Sequence, residues 1–203
     1  MSDEKGYRSG DKRTYGSDRR GSRFEGRQDR PRRDFGERRE YGGEVISAEY
    51  KHYVRITADS HGNGNINKYF DKDSLKTGER YTVTAIVRSK NVDRSVGNPN
   101  QGLAYANLYQ YDSEGSLTKY SDYAGFYGGS SDWQKFSYDF IPEENHGNTS
   151  AGIGLWEATG IIEAAEIVIT DHFGKIIFRD DFSEGISDSV WDINGKVEII
   201  NEK

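Results

Sequence analysis

Apolar and polar residues alternate with a period of two through most of the chain beyond residue 44, in short segments bounded by Gly, Asn, Asp and Ser. This period places successive side chains on opposite faces of a strand, whereas a helix repeats about every 3.6 residues. The pattern predicts one helical turn within 183–191, and strands at 45–49, 52–58, 65–70, 81–89, 102–111, 116–120, 133–141, 151–157, 164–171, 174–179 and 196–200.

Clusters of turn-forming residues separate these segments, for example His61-Gly62-Asn63-Gly64 and Asp171-His172-Phe173-Gly174. No long helical stretch is available to cover a parallel sheet. About ten short strands without such a helix favour two packed antiparallel sheets. The fold class predicted is therefore all-β, an antiparallel β-sandwich of the jelly-roll type, for residues 44–203.

The alternation also assigns faces to individual strands. The residues expected to face the core are Tyr81, Val83, Ala85, Val87, Ala104, Ala106, Leu108, Ala151, Ile153 and Leu155. The opposite set includes aromatic residues and glycines, namely Tyr105, Asn107, Tyr109, Gly152, Gly154 and Trp156. Aromatic rings beside positions without side chains predict a shelf with open space above it.

Composition divides the chain near residue 43. Residues 1–43 hold 13 Lys+Arg and 9 Asp+Glu, a net charge of +4, whereas the remainder holds 15 and 25, a net charge of −10. The first 44 residues contain no Val, Ile or Leu, so they cannot bury enough apolar surface to offset the entropy of ordering. We expect residues 1–43 to form a disordered Arg/Gly-rich tail on an acidic body, which itself is a poor partner for nucleic acid.

Several classes of function find no support. The chain has no Cys, which excludes disulfides and thiolate chemistry, and no apolar run is long enough for a signal-peptide core or a membrane span. Its four histidines are scattered. Glu163 and Glu166 are three residues apart, so on a regular strand they would face opposite sides rather than form a catalytic pair. The sequence predicts no enzyme, no membrane association and no particular compartment.

Five segments carry a resemblance to a known family: 53–59, 75–89, 132–140, 151–155 and 160–171. In this order they resemble carbohydrate-binding modules of the family 4/9/22 jelly-roll type. The resemblance implies non-catalytic binding of a polysaccharide or glycan, an extracellular or virion-surface role, and no required cofactor, with a structural calcium ion as an optional addition.

One departure from the family concerns its opening segment, which usually contains Phe-Glu followed by Trp. Nothing in residues 1–43 is similar, but residues 178–200 are. Two interpretations stay open for residues 178–203: a circularly permuted first strand, or the start of a truncated second module.

The candidate ligand-binding residues are Tyr105, Asn107, Tyr109, Trp156 and Arg88. Aromatic rings stack on the apolar face of a pyranose, and amides and guanidinium groups bind its hydroxyls. Tyr and Trp are also common on strands for packing alone, and Trp133 is expected to be structural. The resemblance further implies calcium ligands, for which we select Asp171, Asp180, Asp181 and Glu184; a solvated acidic turn is the alternative.

Two other functions remain open. The sandwich could be a structural or interaction protein, as in a virion or another assembly. The tail, with Tyr and Phe among Arg and Gly, is similar to segments that bind RNA, so nucleic acid is a candidate partner through residues 1–43 only.

Overall fold

The computed structural model describes residues 43–58, 60–71, 73–96, 102–120, 124–126, 128–144 and 146–202. Within these ranges every regular element is a strand, and no helix is long and apolar enough to cross a membrane. The strands are β1 (Glu44–Val45), β2 (His52–Thr57), β3 (Gly64–Phe70), β4 (Tyr81–Asp93), β5 (Leu103–Asp112), β6 (Leu117–Tyr120), β7 (Ala124–Phe126), β8 (Gln134–Phe140), β9 (His146–Trp156), β10 (Thr159–Asp171), β11 (Ile176–Asp180), β12 (Asp192–Asn194) and β13 (Lys196–Asn201). Apart from Gly43, the predicted tail lies outside the described residues.

The strands form two antiparallel sheets. The first sheet has the order β1-β8-β4-β10-β2-β13, with β11 also paired to β10. The second has the order β12-β3-β9-β5-β6, with β7 paired to β5. Because the chain passes repeatedly from one sheet to the other, each sheet turns one face inward to a shared core and the other outward. The all-β sandwich prediction is confirmed.

The core contains the residues that alternation selects. Tyr81, Val83, Ala85 and Val87 of β4 are buried in one cluster with the alternate residues of β5 and β9, which are Ala104, Ala106, Leu108, Ala151, Ile153 and Leu155. Burying each larger aliphatic side chain contributes about 1.5–3 kcal/mol. This common core fixes the register of β5 and β9, and it therefore also fixes which side chains those strands turn outward.

The C-terminal segment is part of both sheets. β12 pairs with β3, and β13 pairs with β2 along its whole length. Phe182 and Trp191 are fully buried in the common core, and the Trp191 Nε1 donates a hydrogen bond of 2.7 Å to Asp180 Oδ2. Residues 178–202 thus pack within this sandwich; a circular permutation relative to other modules stays a prediction.

The N-terminal segment departs from its predicted strand at 45–49. Only Glu44 and Val45 pair with β8, after which residues 46–50 run across the outward face of the first sheet. Ile46 donates its backbone N–H to the Trp133 carbonyl, and Ile46 and Tyr50 pack on a small outer cluster that includes Trp133 and Ile86. The outward face of the first sheet is therefore partly covered, while that of the second sheet defines the site described next.

Candidate functional site

The register brings one set of side chains together on the outward side of the second sheet, which we call the tyrosine face. Directly paired residues of neighbouring strands point to the same side, and Tyr105, Asn107 and Tyr109 of β5 pair with Gly154, Gly152 and Ser150 of β9. The same β9 residues pair with β3, and β3 pairs with β12. The tyrosine face consists of Tyr105, Asn107, Tyr109, Tyr111, Ser150, Gly152, Gly154, Trp156, Asn65, Asn67, Tyr69, Asp192 and Asn194.

Four of the five predicted ligand-binding residues thus share one face: Tyr105, Asn107, Tyr109 and Trp156. Arg88 does not, which corrects the sequence prediction. It lies on the outward side of the first sheet, where its Nε donates to Glu163 Oε2 and its guanidinium group stacks 4.4 Å from the centre of the Trp133 ring. The alternation correctly predicted that Arg88 faces outward, but it does not indicate to which of the two sheets its strand belongs.

The two ends of the tyrosine face are open to solvent. The Trp156 side chain is 51% exposed and Tyr69 is 47% exposed. Tyr69 pairs with Ser150, six residues from Trp156 on β9. At roughly 3.3 Å per residue, the exposed rings mark a surface about 20 Å long.

The middle of the face is closed, contrary to the predicted open shelf. Tyr105 is 5% exposed and Asn107 is fully buried. A Cβ atom placed on Gly152 would lie 2.9 Å from Tyr109 Cε2, 3.5 Å from Tyr105 Cε2 and 2.8 Å from Asn67 Oδ1. The two rings, which meet edge to face with centroids 6.0 Å apart, therefore occupy the space that the glycine leaves.

Burial keeps both tyrosine hydroxyls protonated. It raises the pKa of Tyr105 to about 12. Burial and the neighbouring Tyr105 raise the pKa of Tyr109 still further. The nearby Asn107 amide opposes this rise, although neither its Nδ2 nor its Oδ1 atom meets hydrogen-bond geometry with a described residue. The phenols therefore offer neutral hydroxyl groups over the whole physiological pH range.

Beneath these rings lie polar atoms without partners. Asn107 Nδ2, Asn107 Oδ1 and Ser150 Oγ form no hydrogen bond within the described part of the chain, and both side chains are fully buried. A buried polar group without a partner costs about 1–3 kcal/mol. Asn67 differs, because its Nδ2 donates a 3.0 Å hydrogen bond to Asn65 Oδ1.

The tyrosine face is almost without charge. Of the residues that define it, only Asp192 carries one, although the body of the protein is strongly acidic. Among the described positions that define the tyrosine face, there is no Lys and no Arg. These positions therefore offer no cation to a phosphate, sulfate or carboxylate group, although Lys68 and Asp188 line the adjoining pocket with Tyr69 and Asp192.

The predicted calcium ligands are not brought together as a set. Asp171 lies four residues along β10 from Ile167, the register partner of Asp180, which corresponds to roughly 13 Å. Asp171 Oδ1 accepts hydrogen bonds from the backbone N–H groups of Phe173 and Lys175, and Asp181 Oδ1 accepts two from Ser183, one from its backbone N–H and one from its hydroxyl. Glu184 is exposed. Among the described residues no group of three or more His, Asp or Glu side chains is arranged to hold a metal ion; calcium binding itself stays a prediction.

Glu163 and Glu166 occupy the same outward face of the first sheet, contrary to the expectation of opposite faces. A bulge at Ala165 shifts the register, so that Glu163 pairs with Arg88 and Glu166 with Ile86. The Glu163 carboxylate is fully buried and accepts hydrogen bonds from Arg55 Nε at 2.6 Å, Lys90 Nζ at 3.1 Å and Arg88 Nε.

This arrangement does not suit acid catalysis. Burial acts to raise the pKa of Glu163, but the hydrogen bonds from Arg88, Arg55 and Lys90 outweigh it, and the pKa lies below its ordinary value. A general acid in glycoside hydrolysis needs a raised pKa. Glu166 is engaged in turn by Arg179 Nη2 at 2.8 Å. Glu163 and Glu166 therefore both take part in ion pairs that stabilise the outward face of the first sheet.

The sequence analysis missed several residues of the tyrosine face. Asn65, Asn67 and Tyr69 alternate with the buried Ile66 and Phe70, so the same period of two could have identified them. Asp192 and Asn194 belong to a three-residue strand whose exposed pattern carries no alternation signal. Ser150 continues the alternate series of Gly152, Gly154 and Trp156, but it lies just before the strand predicted at 151–157 and was therefore missed.

Comparison with known proteins gives no family. No family model matches the chain, and no curated protein matches it. A structure described as PbXyn10C CBM APO is 14% identical over 77% of this chain and 90% of its own, with a TM-score of 0.48. The enzymatically active domain of tailspike protein 4 of bacteriophage CBA120 is 9% identical over 59% of this chain and 15% of its own, with a TM-score of 0.41.

A third similar structure contains the CBM22-1 and GH10 modules of Clostridium thermocellum xylanase 10B in complex with xylohexaose. It is 11% identical over 63% of this chain and 28% of its own, with a TM-score of 0.36. At these TM-scores and identities, the three similarities establish neither a family nor a ligand for this chain.

Proposed function

We propose that the sandwich binds a neutral carbohydrate chain along the tyrosine face without cleaving it. The observation that carries this proposal is the half-exposed Trp156 ring on the same face as buried tyrosines and asparagine amides. The exposed indole offers a flat aromatic surface on which the apolar face of a pyranose ring can stack. Tyr69 supplies a second exposed ring at the other end of the face.

The lack of charge narrows the ligand class. Asp192 is the one charged residue among the positions that define the face, so an acidic polysaccharide would meet no compensating cation there. Amide and phenol groups, in contrast, donate to and accept from sugar hydroxyls without a change in charge. Neutral polysaccharides are therefore preferred to uronic acid polymers.

Affinity electrophoresis of the full chain tests the proposal, with arabinoxylan, mixed-linkage β-glucan, galactomannan and polygalacturonate in the gel. We expect at least one neutral polymer to retard the protein and polygalacturonate to have no effect. Trp156→Ala should weaken this binding at least tenfold. Phe173→Ala is the matched control, because Phe173 is 83% exposed on the turn between β10 and β11, away from the tyrosine face.

Two results would argue against the proposal. Equal mobility in all four gels would indicate that the sandwich serves protein contacts instead, and self-association in solution would then support that alternative. Equal loss in Trp156→Ala and Phe173→Ala would indicate nonspecific aromatic contact. Repeating the gels with EDTA tests the calcium prediction, since a calcium-supported face would bind more weakly after chelation.

A further inference from the structure

The side chains around Gly152 form a small polar site beneath the Tyr105 and Tyr109 rings, which fill the space directly over the glycine. Asn107 lies directly across from Gly152 on β5, and Asn67 lies directly across from it on β3. Ser150 is two residues from Gly152 on β9 and points to the same side. We call this site, bounded by Asn67, Asn107 and Ser150, the Gly152 recess.

The recess contains hydrogen-bonding groups that no described residue uses. Asn107 offers an amide NH2 donor group and a carbonyl acceptor, Ser150 offers a hydroxyl, and these three polar atoms are buried without a partner among the described residues. Native proteins leave few such groups, and those that exist need a physical reason. A donor and an acceptor side by side match two adjacent hydroxyl groups of a sugar.

The rings of Tyr105 and Tyr109 close the recess from above. Both ring edges approach the position that a Gly152 Cβ would take. Tyr105 is almost fully buried, whereas Tyr109 is only partly buried, so an outward rotation would expose less apolar surface at Tyr109 than at Tyr105. A ligand can reach Asn107 and Ser150 only after that rotation.

We infer that the Gly152 recess is a closed subsite, which opens when Tyr109 swings outward and then binds two adjacent hydroxyl groups of a saccharide through Asn107 and Ser150. This inference rests on the proposed carbohydrate binding and adds to it two specificity-determining residues and an opening step. A sugar whose hydroxyl at this position is missing or acetylated would leave the buried amide without a partner, and would be rejected.

Two substitutions test the inference through opposite effects on stability and affinity. Asn107→Leu keeps the approximate side-chain volume, and Ser150→Ala removes one atom; neither breaks a hydrogen bond within the described chain. We therefore expect the urea midpoint to stay equal or rise, while the affinity for the polysaccharide retained in electrophoresis falls at least fivefold. Asn65→Leu is the matched control for stability, and it should lower the midpoint because Asn65 accepts a hydrogen bond from Asn67.

The outcomes separate this inference from the proposed function. If neither arabinoxylan, mixed-linkage β-glucan nor galactomannan binds the wild type, both fail. If Trp156→Ala weakens binding while Asn107→Leu and Ser150→Ala bind like wild type, only the subsite fails. A lower midpoint with unchanged affinity would also overturn the subsite, because it would indicate that ordered water fills the recess for structural reasons.

The opening step has its own measurement. In stopped-flow tryptophan fluorescence, we expect the observed association rate of the wild type to level off as polysaccharide concentration rises, since opening limits entry. Tyr109→Ala removes the closing ring, and its rate should continue to rise with concentration. A rate that rises without limit in the wild type would show that the recess is already open.

Discussion

The outward sides of the two sheets differ in how their polar groups are satisfied. On the first sheet, one buried carboxylate, Glu163, is hydrogen-bonded by Arg55, Arg88 and Lys90, and residues 46–50 cover the apolar cluster beside it. On the second sheet, the tyrosine face has almost no charge, and Asn107 and Ser150 lack partners among the described residues. Satisfied groups stabilise a fold, whereas unsatisfied buried groups need a partner, which an ordered water molecule or a ligand can supply.

Two tryptophans sharpen this comparison, because one lies on each outward face. Trp133 is buried and contacts Tyr50, Tyr53 and Arg88, with the two tyrosine centroids 5.0 and 5.5 Å away. We expect Trp133→Ala to lower the free energy of unfolding by about 3–5 kcal/mol, since the cavity cannot collapse fully. Trp156→Ala should cost less than about 1 kcal/mol. Urea denaturation of both variants checks this difference, and equal losses would contradict it.

A second prediction concerns the buried carboxylate itself. Glu163→Ala leaves three cationic side chains around an empty position, so we expect a loss of about 3 kcal/mol in the free energy of unfolding. Glu166→Ala is the matched control from the same strand, because Glu166 has one partner, Arg179, which is half exposed. That control should lose at most about 1 kcal/mol. Similar losses in the two variants would show that the network has no special structural role.

A third prediction compares two glycines of the tyrosine face. A Cβ at Gly154 would meet backbone atoms of β3, the Gly64 carbonyl oxygen and the Asn65 Cα, the latter at 2.8 Å. A Cβ at Gly152 would meet only the ends of side chains. We expect Gly154→Ala to cost about 2–3 kcal/mol and Gly152→Ala about 1 kcal/mol, because a strand must shift in the first case and a ring in the second. Thermal unfolding of the two variants ranks these costs, and the reverse order would contradict the geometry.

Much of the fold could be predicted because a period of two assigns faces without any knowledge of topology. It placed Val83 and Ile153 in the core, and it turned Tyr105 and Trp156 to the opposite side of their strands. It could not assign a strand to one of the two sheets, and for this reason Arg88 was grouped with the wrong face. Sheet membership depends on pairings between residues far apart in sequence, which alternation does not contain.

The errors at finer scale have local causes. The bulge at Ala165 changes the parity of β10, and it therefore places Glu163 and Glu166 on one side although their spacing predicts two. The closed Gly152 recess results from the orientation of two β5 rings over the neighbouring strand β9, which side-chain periodicity alone does not determine. The short strand β12 is exposed throughout and has no pattern that could reveal it.

The smallest effect that we predict is the pH dependence contributed by Glu163. Its pKa in the folded protein is lowered from the ordinary value of 4.5 by its three hydrogen-bond donors, against the opposing effect of burial. The stabilisation is therefore complete above that ordinary value, and it is lost as the pH falls through the lower, folded value.

In Glu163→Gln the side chain cannot titrate, so the unfolding free energy should fall less steeply below pH 4.5 than in the wild type. Urea unfolding measured between about pH 3 and pH 7 gives both slopes. Identical slopes would mean that the cations do not favour the charged carboxylate. Trp156→Ala is the matched control on the tyrosine face, because it alters no titrating group and should retain the wild-type slope.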